Sequence, residues 1–409
     1  MYLRFLLGAV ALLLAVQASR AGEFAIPVRQ ALEQGQLPQS EREFARGLDA
    51  APHDNEVRFG LGLIRFALAI ERFGQRQYRF GAHLPPHASA PFFRLPVPGN
   101  PAPEAITYEK QRETWQGLLD DLAKVEATLA PMTADPTAIV VDLSAVRLNF
   151  GDADKSITLG AIVAALQHPL EPQASEPEPF EVKFDYADAL WLRGYCRLLS
   201  ASLEFVLAYD WRETFNRTGH LFYSRVVPPA FAPDAESPTQ PEFPLGDSGE
   251  FADFVVLLHE IRWPLLDFKQ LARAHADLKQ TVVLSRASWT AILAETGDDR
   301  EWIPGPGQTH AAVPGMAVTR AQVDTWFGFL DDVDAVLDGK KLLPHWRFAQ
   351  GFNLKRALLE PREFDLVLWV AGYGAAPYLE RGPILSWEEW RRWNAAFHDN
   401  FLAYAFYFN

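Results

Sequence analysis

The sequence predicts a mainly α-helical fold, a multi-helix domain with long proline-rich loops and few short strands. Apolar residues recur at helical spacing in most long segments, whereas strict alternation is confined to short runs. Of the 409 residues, 49% are hydrophobic and 22% are charged, which is typical of a globular chain with a large core. We therefore expect residues 22–409 to form a single mainly helical domain, with a possible subdivision near 228–247.

Residues 1–21 have the layout of a secretory signal peptide. Arg4 precedes an apolar run, and small residues stand at Ser19 and Ala21, before the expected cleavage point. The apolar run is shorter than the about 20 residues that cross a bilayer, although an uncleaved membrane anchor is the alternative. We expect cleavage after Ala21, with Ala18 as the alternative, and a soluble, periplasmic or secreted protein with no stable membrane insertion.

An Arg-Phe pair repeats every seven residues in the first long helical segment. The arginines of this repeat are Arg58, Arg65, Arg72 and Arg79. At about 100° per residue, seven residues drift by only about 20°, so the arginines form one stripe along the helix. Because buried cations need partners, we expect carboxylates of neighbouring helices to neutralise this stripe. The functional alternative makes the four arginines a binding site for an anion or a sugar acid.

Three further helices are predicted in the centre of the chain. The first two cover about 107–130 and about 185–210, where apolar residues keep helical spacing. The third starts near Phe251 and is ended or kinked by Pro264, because proline lacks an N–H and clashes one turn back.

Helix boundaries are marked more clearly toward the C-terminus. Capping-box spacing, in which two side chains bond each other's backbone N–H, occurs at Thr319–Gln322 and Ser386–Glu389. Gly339 and Gly372 follow apolar stretches, where a left-handed glycine can end a helix. Pro361 suits the first turn of another helix.

The last helix is predicted to carry an aromatic stripe, which spans about 80° of a helical projection. Its members are Trp390, Trp393, Phe397, Phe401, Tyr404 and Phe408. An exposed stripe of this size would promote aggregation, so we expect a buried face. Stacking on sugar rings is the alternative.

The strands and loops complete the predicted fold. The best strand candidates are 138–143 and 281–284. Proline-rich connections at 85–103, 169–179 and 228–244 are expected to be extended surface segments, since proline fixes φ and restricts the preceding residue. The first connection also contains apolar residues that predict packing on the helices: Phe92, Phe93, Leu95 and Val97.

Charge and cysteine content exclude several function classes. With 38 basic and 52 acidic residues, the formal charge of −14 disfavours nucleic-acid binding. Cys196 is the single cysteine, so it closes no intramolecular disulfide, and its leucine-rich surroundings predict a buried, inert thiol. A cysteine-based zinc site is excluded, and no cofactor is predicted.

The sequence contains no complete metal or nucleophile motif. His259-Glu260 lacks the second histidine of a zinc-protease motif. The segment Asn149–Ser156 has acidic residues out of register for calcium and no closing acid, so we predict an ordinary turn and leave open any residual calcium affinity. Carboxylates remain as candidate acid/base groups: Asp185, Asp188, Glu260, Asp298, Asp299 and Glu301.

The chain resembles an uncharacterised family of exported bacterial proteins over essentially its whole mature length. Four segments carry the resemblance: Arg58–Gln75, Glu295–Pro304, Leu337–Trp346 and Glu360–Trp369. Because the family has no established activity, the resemblance implies no mechanism. Its relatives tend to have a more regular Asp-x-Asp-Gly-Asp run where this chain has Asn149–Asp154, and this departure argues against a calcium site here.

These observations predict an exported cell-envelope protein that acts as a binding or scaffolding module. Its expected partner is an unknown envelope protein, or an anionic small molecule or glycan bound at the arginine stripe. The alternative is a glycan-active hydrolase or lyase of the helical-toroid type, which needs two carboxyls about 5 to 10 Å apart. Two carboxyls facing each other across an aromatic-lined cleft would favour the enzyme.

Overall fold

The structure, a computed structural model, describes residues 24–83, 95–151, 156–162, 179–227 and 248–409. The predicted signal peptide therefore lies outside the described residues. The α-helices are α1 (Ala25–Gln34), α2 (Leu37–Ala50), α3 (Asn55–Arg79), α4 (Tyr108–Leu129), α5 (Tyr186–Leu207), α6 (Arg212–Thr218), α7 (Ser248–Glu260), α8 (Phe268–Ala294), α9 (Arg320–Leu337), α10 (Leu354–Leu359), α11 (Leu366–Val370), α12 (Trp387–Ala396) and α13 (Phe401–Phe408). This architecture confirms the mainly helical fold class. None of the helices described is both long and apolar enough to cross a membrane.

Strands are short and occur in antiparallel pairs. They are β1 (Ile139–Asp142), β2 (Arg147–Asn149), β3 (Ser156–Thr158), β4 (Glu181–Phe184), β5 (Arg262–Trp263), β6 (Gly351–Phe352), β7 (Phe364–Asp365) and β8 (Leu379–Glu380). The pairs are β1 with β4, β2 with β3, β5 with β7 and β6 with β8. The strand predicted at 138–143 is confirmed by β1, in which Ile139 lies opposite Phe184.

The second predicted strand, at 281–284, is wrong because these residues lie inside α8. Thr281, Val282 and Val283 favour a strand locally, but the helical spacing of the whole 27-residue segment decides its conformation. Val282 and Leu284 are buried by packing of this helix on its neighbours.

Helix α3 is the central element of the N-terminal half and packs against α1, α2 and α4. Asp54 begins it by accepting hydrogen bonds from the N–H groups of Glu56 and Val57. The helix approaches α4 closely at Gly62, where a Cβ would come within 2.3 Å of the Leu129 side chain. A residue larger than glycine at this point would force the two helices apart.

Helices α5 and α8 pack along each other and connect the two halves of the fold. Residue Trp191 of α5 contacts both the N-terminal core and the core formed by α8, α9, α12 and α13. Cys196 of the same helix is buried, and desolvation raises the pKa of its thiol. Both observations agree with the predicted buried, inert thiol.

The helix boundaries confirm most of the predicted caps. Both capping boxes form, at Thr319–Gln322 and Ser386–Glu389, and α7 ends at Glu260, before Pro264. Gly339 and Gly372 have left-handed φ values of 71° and 88°, each just after a helix.

Two predicted boundaries are wrong. Pro361 lies outside any helix, because the next helix, α11, begins only after Asp365, whose side chain caps it by accepting from the N–H of Leu368. The aromatic stripe, predicted on a single last helix, is divided between α12 and α13. His398 and Asp399 lie between these helices with φ of 53° and 61°, which is not a helical backbone conformation. Four of its rings are nevertheless buried, as predicted: Trp393, Phe397, Phe401 and Phe408.

Candidate functional site

The arginine stripe of α3 is lined by carboxylates of the two helices beside it. Glu41 of α2 contacts Arg65 at 3.2 Å and Arg72 at 2.9 Å. Asp121 of α4, whose side chain is 4% exposed, lies 3.3 Å from Arg72 and 3.4 Å from Arg76. The predicted neutralisation by neighbouring carboxylates is therefore confirmed in the middle of the stripe.

The two ends of the stripe have different partners. Arg79 pairs with Glu104 at 2.7 Å on the surface. Arg58 is buried and donates instead to the backbone carbonyls of Thr128 and Pro52, so the expected carboxylate partner is wrong there. Thr128 lies in the last turn of α4, where unpaired carbonyls and the negative end of the helix dipole favour a cation. The ligand-binding role of the four arginines stays a prediction, which this internal pairing does not favour.

A cavity of about 590 Å³ opens beside the last turns of α3 and the first turns of α4 and α6. Its wall is mainly apolar and includes six aromatic side chains: Phe73, Trp115, Trp211, Phe215, Phe222 and Tyr223. Trp211 stands directly before α6, and its ring centroid lies 5.2 Å from that of Trp115 and 6.0 Å from that of Phe215. These contacts hold the rings as a rigid surface against which a flat molecule can pack.

The first proline-rich connection contributes to the same wall. Leu95 and Val97 line the cavity, which confirms the predicted packing of this loop for these two residues. Phe92 and Phe93, which supported the same prediction, lie outside the described residues.

Few polar groups face the cavity, and none of the described lining residues is Asp, Glu, Lys or Arg. The Tyr223 hydroxyl lies 2.7 Å from Oε1 of Gln77 and 2.6 Å from Oε1 of Gln111. The Thr214 hydroxyl donates to the Glu260 carbonyl and accepts from the Trp263 indole. Such an apolar chamber with a few convergent polar groups is typical of a small-molecule site.

A second cluster consists of the carboxylates of Asp185, Glu295 and Glu301. One oxygen from each lies within 4.8 Å of the others, the only such group of metal-ligand side chains among the residues described. Asp185 caps the N-terminus of α5, Glu295 directly follows α8, and Glu301 lies in the loop beyond it. Three carboxylate oxygens suit a hard cation such as Ca²⁺, although the sequence predicts no metal site.

Burial and mutual proximity raise the pKa values of the carboxyl groups in this cluster. Burial and then the charge of Asp185 raise the pKa of Glu295 to about 8. Burial also raises the pKa values of Asp185 and Glu301, and that of the fully enclosed Asp188 is raised well above its usual range. The ammonium group of Lys183 opposes the rise in pKa at Asp185, Glu295 and Glu301.

Several cluster members also have a local structural role. The Asp188 carboxylate accepts from the N–H of Asp185 at 2.9 Å and the Asp185 carboxylate accepts from the N–H of Asp188, which forms a capping box. Asp185 also accepts from the N–H of Ala187 at 2.8 Å. Glu301 accepts from the N–H of Asp299 at 3.1 Å. These carboxylates therefore also cap the N-terminus of α5 and fix the loop that follows α8.

The remaining predicted acids lie elsewhere. Glu260 pairs with Arg217, and Asp298 contacts His310 at 3.0 Å. Asp299 pairs with its neighbour Arg300 at 2.9 Å. Sequence reasoning named Asp185, Asp188 and Glu301 but missed Glu295, which only the packing of α8 beside α5 brings to them.

We expect Glu295→Gln to reduce the loss of stability that accompanies rising pH. Glu295 holds its proton to about pH 8 in the folded protein but releases it near 4.5 when unfolded, so the folded state binds more protons between these values. Stability therefore falls as pH rises through this window. Urea midpoints at about pH 5 and about pH 8 should differ less in the variant than in the unmodified protein. Glu43→Gln, at an exposed carboxyl, is the control, and equal pH dependence in all three proteins would contradict the shift.

The predicted turn at Asn149–Ser156 joins β2 to β3, and Asn149 pairs with Ser156 in the antiparallel register. Residues 152–155, which include the acidic residues considered for calcium, lie outside the described residues.

The residues of the aromatic cavity were not predicted as a site. Gln77 and Gln111 are polar residues on helix faces that are otherwise packed. Their polarity was the one signal in the sequence that could have indicated this site. Comparison with known proteins identifies no matching family model, no similar curated protein and no similar solved structure.

Proposed function

We propose that this protein is an exported binding protein of the cell envelope that holds an uncharged, largely aromatic small molecule in the cavity beside Trp115 and Trp211. The observation that carries the proposal is the cavity itself, about 590 Å³ in volume and walled by aromatic rings. Pockets that enclose a small ligand have volumes of about 300 to 1,000 Å³ and similar linings. Because none of the described lining residues is Asp, Glu, Lys or Arg, a charged ligand would lose its hydration without gaining an ion pair.

This ligand class differs from the anion that the arginine stripe suggests in the sequence. Arg65 and Arg72 already contact carboxylates, whereas the described lining of the cavity contains neither arginine nor carboxylate side chains. An anion at the stripe would have to displace Glu41, which bridges both arginines. The neutral cavity requires no such displacement.

Export rests on the signal-peptide layout of residues 1–21. We expect protein recovered from the envelope or the medium to begin at Gly22, and intact mass spectrometry measures this directly. A mature protein that retains Met1 would contradict export by a cleaved signal peptide.

Binding is tested with N-phenyl-1-naphthylamine, a neutral aromatic probe whose fluorescence rises in apolar surroundings. We expect saturable binding with a Kd on the order of 10 μM, from the usual free energy per ligand atom. Ala82→Leu adds three carbon atoms at a residue that lines the cavity and should weaken binding at least about tenfold.

The control for this experiment is Ala127→Leu, which makes the same change at an exposed position of α4 away from the cavity. This variant should bind the probe like the unmodified protein. Absence of saturable binding, or equal affinity in all three proteins, would overturn the proposal.

The carboxylate cluster supports one alternative function, hydrolysis of a glycan. Glu295, with a pKa of about 8, is protonated at neutral pH and could act as a general acid beside Asp185 and Glu301. The alternative requires that the unmodified protein release reducing ends from isolated cell-wall glycan and that Glu295→Gln abolish the release. Without such release by the unmodified protein, the alternative is wrong.

A further inference from the structure

Tyr223, Gln77 and Gln111 form a polar corner of the cavity, in which two acceptor atoms face a single hydroxyl donor. Tyr223 and Gln111 are buried, with 6% and 5% exposure, and both line the cavity with Gln77. Both glutamine Oε1 atoms lie within 2.7 Å of the Tyr223 hydroxyl oxygen. A phenol has one hydrogen, so it can donate to only one of these two acceptors.

Both contacts of the Tyr223 hydroxyl become hydrogen bonds when one of the two amides turns its NH₂ group toward the hydroxyl oxygen. The hydroxyl then donates to one glutamine carbonyl and accepts from the NH₂ of the other, which uses its full capacity. Each amide retains one unused end, a carbonyl oxygen on one and an NH₂ group on the other. No other described residue forms a hydrogen bond with the side-chain nitrogen of Gln77 or Gln111.

One unused donor and one unused acceptor therefore belong to two residues that line the same cavity and bond the same hydroxyl. A ligand that satisfies both ends gains over one that satisfies neither, because the second kind removes water from the two amide ends and replaces it with nothing. Sites of this kind discriminate strongly, because a molecule without the matching groups leaves the protein's own polar groups unpaired.

We infer that the ligand of this cavity is an aromatic molecule with a neighbouring N–H and C=O, such as a lactam or a carboxamide, which Gln77 and Gln111 bind together. This inference rests on the proposed function and specifies its ligand class. The aromatic rings of Trp115 and Phe215 would hold the flat part of the molecule, and the two amides would set its orientation. A carboxylate would present two acceptors and no donor, and so fits the pair less well.

The test compares three ligands of nearly equal size by isothermal titration calorimetry: 2-quinolinone, N-methyl-2-quinolinone and naphthalene. The first has both groups, the second lacks the N–H, and the third lacks both. We expect 2-quinolinone to bind about tenfold or more tightly than naphthalene, with the N-methyl compound weaker than 2-quinolinone. Gln111→Leu should reduce the preference of 2-quinolinone over naphthalene to less than about threefold.

The matched control is Gln116→Leu, a half-buried glutamine of the same helix that is bonded to Asp120 and does not line the cavity, which should keep the full preference. The ligand comparison in the unmodified protein stands even if Gln111→Leu fails to fold. If naphthalene binds and 2-quinolinone binds no more tightly, the amide pair is not a recognition element, although the aromatic cavity is. If none of the three ligands binds, the inference and the proposed function both fail.

Discussion

Replacing Phe401 by alanine is expected to lower the free energy of unfolding by about 3 to 5 kcal/mol. Phe401 is 1% exposed at the start of α13, in the core of the C-terminal half. Its ring centroid lies 4.9 Å from that of Phe329 and 5.5 Å from that of Trp393, so truncation leaves a cavity bounded by rigid rings that cannot close it. Urea denaturation measures the change directly.

The control for this variant is Leu402→Ala at the next position. Leu402 is 67% exposed, so its truncation should change stability by less than about 0.5 kcal/mol. If Phe401→Ala kept its denaturation midpoint and instead lost affinity for a glycan, the aromatic stripe would be a binding platform and not a core.

Asp121→Asn should cost about 2 to 3 kcal/mol, because it removes the one buried negative charge that Arg72 and Arg76 share. The Asp121 side chain is 4% exposed and lies 3.0 Å from Lys124, in addition to the two arginines. Both guanidinium groups are about a third exposed, so water compensates part of the loss and the expected effect is below that of a fully buried pair. Thermal and urea denaturation both report this change.

Asp120→Asn is the matched control, since Asp120 is exposed and bonded only to Gln116 among the described residues. It should leave stability within about 0.5 kcal/mol of the unmodified protein. If Asp121→Asn were neutral, and sulfate raised the melting temperature of the unmodified protein, the arginines would form an anion site awaiting a ligand.

Local features of the fold could be predicted because their causes are local in the sequence. The capping boxes at Thr319–Gln322 and Ser386–Glu389 need only residues three apart. The glycine ends at Gly339 and Gly372 follow from backbone freedom at one residue. The strand expected at 281–284 failed because β propensity over four residues competes with helical packing over all of α8.

The candidate site could not be predicted, because its parts meet only after the helices pack. Tyr223 follows α6, whereas Gln77 and Gln111 belong to α3 and α4, and no sequence spacing relates the three. The arginine stripe shows the opposite case. Its heptad spacing predicted a line of cations that needed partners, but only the structure shows that Glu41 serves two of them and that Arg58 uses backbone carbonyls.

The most direct test of the binding cavity is a crystal structure of the protein grown with 2-bromonaphthalene, with anomalous data collected at the bromine edge. The predicted result is a bromine peak inside the cavity, with the naphthalene rings packed against Trp115 and Phe215. The same crystals of Ala82→Leu should show a weaker peak or none. A cavity without a bromine peak, or filled by a segment of the chain itself, would contradict the claim that this chamber holds a small molecule.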